Sequence, residues 1–179
     1  MQAVVSDSGP LIHIAQINRL TILQILFGRV EVTSNVRVEV VDEGSRRKRP
    51  DAKDLNEAFK DGWLKTQTLS EQTLREAARL ADGEGISPFD AEVILLAEQE
   101  KALFLSDDTA LARLAEMYGL TTWDTWNLLL EALSRNLITI TELEEAVDAL
   151  GKKKFRLNQK QTLEILQAAK RVQSRKKGT

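Results

Sequence analysis

Short apolar or β-branched runs alternate along this chain with longer stretches of helical periodicity, and few folds accept that order. The runs suited to strands are Ala3–Ser6, Val30–Thr33, Trp63–Thr68, Ala102–Ser106 and Leu120–Trp123. Between them, apolar residues recur three and four positions apart, as they do along one face of a helix. This alternation predicts βαβ units with right-handed crossovers, and hence a parallel sheet covered by helices on both faces. The expected fold is α/β, a three-layer α/β/α arrangement with a parallel sheet of about four to five strands and additional C-terminal helices. In such sheets ligands bind outside the C-terminal ends of the strands.

The helical stretches carry their own punctuation. LIHIAQINRLTILQILFG is helical in pattern and stops at Gly28, and Asn35–Gly44 reads as a helix capped by Asn35. Asp51–Asp61 and Ser70–Ala81 are amphipathic. Ser87-Pro88-Phe89-Asp90 is the clearest helix start, with a capping serine, proline at the first helical position and an acid three residues after the cap. Asp82-Gly83-Glu84-Gly85 lacks the alternating ligands of a calcium loop and reads as a turn. The last third of the chain reads as three helices, so the expected division is a domain over residues 1–135 and a helical extension with a basic tail over 136–179.

Composition narrows the chemistry. An apolar content of 42% in 179 residues supports a real core. There is no cysteine, which excludes disulfides, thiolate metal sites and a cysteine nucleophile, and fits a reducing cytoplasm. No apolar run approaches the ~20 residues that span a bilayer, and the start MQAVVSDSGP lacks the basic, apolar pattern of a secretory leader. The expectation is a cytoplasmic protein without a membrane partner. The net charge of −2 conceals an asymmetry: residues 151–179 hold ten Lys/Arg against one acid, so they carry about +9 and residues 1–150 about −11. Arg46-Arg47-Lys48-Arg49 forms a second basic run. Both runs, with Lys152, Lys153 and Lys154 opening the tail, are candidates for holding a phosphate backbone, although a solvated loop and tail also account for them.

Acids recur where strands give way to helices. Asp7 follows the first strand, Glu39 lies one turn into the helix after the second, Asp90 opens the helix after Pro88, and Asp107-Asp108 follow ALFLS. Each has an ordinary role as a helix cap or a first-turn acid, worth ~0.3–1 kcal/mol. Together they say more, because a parallel sheet lays all these positions along one edge. Carboxylates brought that close repel unless a cation balances them. Oxygen-only ligands suit Mg2+ or Mn2+, which bind phosphoryl oxygens and acidify water. The single histidine, His13, lies on a mostly apolar helix and reads as a packing or surface residue. Trp63, Trp123 and Trp126 read as core.

The segments that carry these acids resemble a known family. VVSDSGPLIHIAQINRLTILQILFGRVEVTSNVRVEVV looks like the start of a PIN domain, particularly of the prokaryotic VapC-like branch. SPFDAEVILLA resembles that family's third-acid segment and ALFLSDDTALARLAEMYGL its fourth. The resemblance runs over roughly residues 2–125. It implies a metal-dependent endoribonuclease using Mg2+ or Mn2+, in many members the toxin of a toxin–antitoxin pair, and frequent homodimers. Residue by residue, Asp7, Glu39 and Asp90 match the first three acids. The fourth falls on Asp107 or Asp108, with the spacing from Ser106 favouring Asp108. Ser8 matches a hydroxyl that orients the first acid, and Thr109 and Asp124 are the nearest matches to further supporting groups. Two other readings compete: a PIN-like module that binds RNA or protein with a weak or lost site, and a hydrolase of small phosphate esters using the same acids.

Overall fold

A computed structural model describes residues 2–153, 155 and 159–177. Strands β1 (Val4–Ser6), β2 (Val30–Thr33), β3 (Leu64–Gln67), β4 (Leu103–Leu105) and β5 (Thr121–Trp123) form one sheet in the order β3-β2-β1-β4-β5. Every neighbouring pair is parallel. Each strand lies within the segment expected for it. β1, β2 and β4 are buried throughout; β1 and β4 are mostly apolar runs for that reason, while β2 buries Glu31 and Thr33 beside its valines. β3 is an edge strand, and its middle residues Lys65 and Thr66 are exposed.

Helices α1 (Ser8–Gln16) and α2 (Thr21–Phe27) join β1 to β2. Between β2 and β3 come α3 (Ser34–Arg37), a π-helical segment (Val38–Glu43), α4 (Gly44–Arg46) and α5 (Asp51–Lys60). Helices α6 (Glu71–Glu84) and α7 (Pro88–Gln99) cross to β4, and α8 (Thr109–Met117) crosses to β5. The result is the expected three-layer α/β/α fold. α1 packs on α5, while α7 lies against β1, β2 and β4 with α6 upon it. Leu11, Ile14, Leu23, Leu55, Ile94 and Phe104 are fully buried between the layers, each burial contributing ~1.5–3 kcal/mol.

Three local expectations need correction. The stretch LIHIAQINRLTILQILFG is two helices, not one. Asn18 takes a left-handed φ of 56°, and the amides of Asn18 and Arg19 donate to the carbonyls of Ala15 and Ile14, closing α1 as glycine usually does. The helix after β2 is capped by Thr33, whose hydroxyl accepts from the Val36 amide at 3.3 Å, and it widens into the π segment instead of ending at Gly44. Asp82–Glu84 form the last turn of α6, which Gly85 terminates at a φ of 68°.

The chain divides into two compact units, Met1–Asp124 and Thr125–Thr179. The second unit opens with α9 (Thr125–Ser134). In the second unit α9 packs with α10 (Ile140–Lys152) and α11 (Gln159–Lys177). Trp126 stacks on Phe155 with ring centres 5.3 Å apart. Thr139 and Glu142 form a reciprocal capping box at the start of α10. Among the described residues, no helix is long and apolar enough to cross a membrane.

Gly44 fixes how the π segment leaves the sheet. A Cβ there would lie 2.9 Å from the Cβ of Ala52, an atom that cannot swing aside because it sits on the backbone of α5. Gly44→Ala is expected to lower stability by about 1–3 kcal/mol. Urea unfolding measures this, and an unchanged midpoint would contradict the close packing of these two helices.

Candidate functional site

The strand order sets where a site can form. From β1 the chain winds outward through β2 to β3, then returns to add β4 and β5 on the other side. The C-terminal ends of β1 and β4 therefore flank the switch point where crossovers diverge and a crevice opens. Asp7 sits there. Its amide donates to the Leu105 carbonyl at 2.9 Å, and its carboxylate caps α1 by accepting from the Ser8 amide at 2.6 Å. Its second oxygen accepts from the hydroxyl of Ser106 at 3.4 Å, and Ser106 is itself buried.

Two more acids reach the same place from other segments. Glu39 is the second residue of the π segment, and Asp90 lies in the first turn of α7. Asp7, Glu39 and Asp90 line one cavity of about 280 Å³, together with Asn35, Val36, Val38, Glu43, Phe89 and Val93. At the start of α7 only half of a capping box forms. The Ser87 hydroxyl accepts from the Asp90 amide at 3.1 Å, but the Asp90 carboxylate does not return the bond. That leaves it to the cavity.

Burial pushes the Asp7 carboxyl up to about 6. The Ser8 amide pulls it down, and the charges of Asp90, Glu39 and Asp107 push it up again. Asp107 thus belongs to the same field of charge. Its side chain is only 7% exposed, and Oδ2 meets His13 Nδ1 at 2.7 Å. Asp108 is exposed and employed elsewhere: Oδ1 accepts from the amides of Ala110 and Leu111 at 2.8 and 3.0 Å, capping α8. Spacing from Ser106 favours Asp108 as the fourth acid, whereas it is Asp107 whose charge acts on Asp7.

His13 was expected in a packing or surface role, but it is bonded to an acid of the site. Gly9 explains how that acid comes so near. A Cβ at Gly9 would lie 3.3 Å from the Asp107 Cβ and 3.4 Å from Oδ2. Gly9 and His13 are four residues apart on α1 and so share a face, one giving room to Asp107 and the other a hydrogen bond.

The remaining candidates are dispersed. Ser8 supports Asp7 through its backbone amide, whereas the hydroxyl that reaches the carboxylate is that of Ser106. Thr109 opens α8 and is exposed, and Asp124 follows β5 half-buried; neither is among the charges acting on Asp7. Of the basic run, Arg46, Arg47 and Lys48 are exposed, with Arg47 paired to Glu43 at 3.2 Å. Arg49 is half-buried and donates to the Glu39 carbonyl at 3.2 Å, so it braces the π segment. In the second unit Lys153 is exposed and Lys152 pairs with Asp148 at 2.6 Å. Lys154 lies outside the described residues.

Among the described residues, no three acidic or histidine side chains are gathered tightly enough to hold an ion as they stand. Asp7, Glu39 and Asp90 instead share a cavity, and Asp107 shares their field. The donors are all carboxylate oxygens, the set that fits a hard divalent cation. A model of the PIN-domain family matches residues 3–171. The chain belongs to the PIN-domain family. PIN domains are generally nucleases and generally use divalent metals, so the acidic cavity lies in a nuclease-type fold. The match names the family and not a branch within it. No curated protein matches the chain.

The state of Asp7 is open to measurement without activity. Its folded-state pKa lies above the ordinary value of 3.8, so folding favours the protonated form. The resulting penalty is absent below about pH 4, grows as pH rises, and is complete above about pH 6. Asp7→Asn keeps the cap and removes the charge. In EDTA it is expected to be more stable than the parent at pH 7.5, by on the order of 1–3 kcal/mol, with the advantage gone at pH 4. Equal stability at both pH values would refute the buried, crowded carboxylate.

Proposed function

We propose that this PIN domain is a Mg2+- or Mn2+-dependent endoribonuclease. The observation that carries the proposal is that Asp7, Glu39 and Asp90, from three separate segments, line one cavity, and that the charges of Glu39, Asp90 and Asp107 all act on the buried Asp7 carboxyl. Asp7, Glu39, Asp90 and Asp107 are the residues that would hold the ion. A divalent cation held there neutralises charge on the scissile phosphate and makes water a better nucleophile at neutral pH.

The protein's own groups prepare that chemistry. Ser106 and the Ser8 amide hold the Asp7 carboxylate in one orientation. His13 and Gly9 do the same for Asp107. Arg49 braces the backbone that carries Glu39. Arg46, Arg47 and Lys48 follow in the chain from the helix whose Glu39 and Glu43 line the cavity, and they are suited to hold the RNA backbone without reading its sequence. The toxin role, an antitoxin partner and a homodimer extend the proposal, and they rest on the family resemblance alone.

Labelled RNA incubated with the pure chain tests the reading. Cleavage is expected with Mn2+ or Mg2+ and not in excess EDTA. Asp7→Asn, Glu39→Gln, Asp90→Asn and Asp107→Asn should each lower the rate by about two or more orders of magnitude. Asp108→Asn, which retains a capping side chain, should stay within about fivefold of the parent. Undiminished cutting by the Asp7 variant would sink the metal mechanism. Rapid hydrolysis of p-nitrophenyl phosphate with RNA left intact would favour a small-ester hydrolase instead. Growth arrest on expressing the parent, but not Asp7→Asn, tests the toxin extension.

A further inference from the structure

Two apolar side chains stand exposed inside a cavity otherwise notable for its acids. Phe89 is 58% exposed and directly precedes Asp90; Val38 is 39% exposed and directly precedes Glu39. Both line the same cavity as Asp7, Glu39 and Asp90. Scattered exposed apolar residues are ordinary on a protein surface, but these two come from different segments and line one cavity with the carboxylates. Neither contributes to holding an ion. Phe89 lies outside the core, so the fold does not require an aromatic ring at that position.

The chemistry of the substrate supplies a use for them. Acidic walls repel a phosphate backbone until a cation is present, whereas a phenyl face attracts any nucleobase, because every base presents a π surface. We infer that Phe89, with Val38 on the wall of the same cavity, is a stacking subsite for one nucleobase next to the scissile phosphate. The subsite rests on the nuclease reading for its purpose. Stacking does not read base identity, so it leaves sequence preference weak.

The full chain with Mn2+ and a short single-stranded RNA tests this. Phe89→Ala and Phe89→Leu are both expected to raise KM by roughly tenfold, with kcat close to the parent value, while Phe89→Tyr restores the parent KM. A leucine variant with the parent's KM would overturn the subsite. A second arm needs no cleavage. Asp7→Asn is mixed with RNA carrying 2-aminopurine at successive positions. Quenching is expected at one position, and adding Phe89→Ala should abolish it. Quenching that survives the second substitution refutes stacking on Phe89, whether or not the parent proves to be a nuclease. Conversely, quenching lost with Phe89→Ala while Asp7→Asn still cleaves would uphold the subsite and reject the metal mechanism. Equal melting temperatures for the Phe89 variants and the parent are expected, because the ring lies outside the core.

Discussion

The in-register pairing of β1 with β4 is the constraint from which the site follows. Val4, Val5 and Ser6 lie opposite Leu103, Phe104 and Leu105, and Val5 and Phe104 are wholly buried. Both strands are buried on both faces, so the register is held by side-chain packing against the helical layers on either side. Once it is set, the residues that follow both strands must emerge side by side. Asp7 and Ser106 are the first of those residues and Asp107 is the next, so the packed centre of the sheet brings together groups that repel.

Near Asp7 and Asp107, much of the surrounding structure holds those groups in place. Asp7 is held by an amide and a hydroxyl, and Asp107 by an imidazole above a glycine that leaves it room. These contacts orient the carboxylates. Local opposition of this kind, sustained by a well-packed remainder, is common where chemistry is done.

Much of this was legible in the chain before any coordinates. The strands show because those buried on both faces are rich in apolar and β-branched residues; Asp7 and Glu39 show because each follows a strand, and Asp90 because Ser87 and Pro88 mark the start of its helix. The rest depends on contacts that local sequence does not encode. Asp107 and Asp108 are the same residue type in adjacent positions; what separates them is α1, whose His13 is 94 residues away from Asp107 along the chain. Ser8 and Ser106 both neighbour a key acid in sequence, and only the folded sheet shows whose hydroxyl reaches Asp7. The π segment has no compositional signature, since its wider turn answers to packing against α5. The break at Asn18 did carry a signal, an asparagine where a helix closes left-handed, but it was masked by apolar periodicity on both sides.

That wider turn separates two demands on one helix. Before it, α3 must keep step with β2, from which Thr33 caps it; after it, Gly44 must keep step with Ala52. A π turn takes up an additional residue relative to an α turn, so the two ends need not agree in phase, and Glu39 lies within the stretch that absorbs the mismatch. The carboxylate is thereby uncoupled from the packing at either end. Changes in the angle or reach of this one acid can accumulate there while the hydrophobic layers on both sides stay as they are.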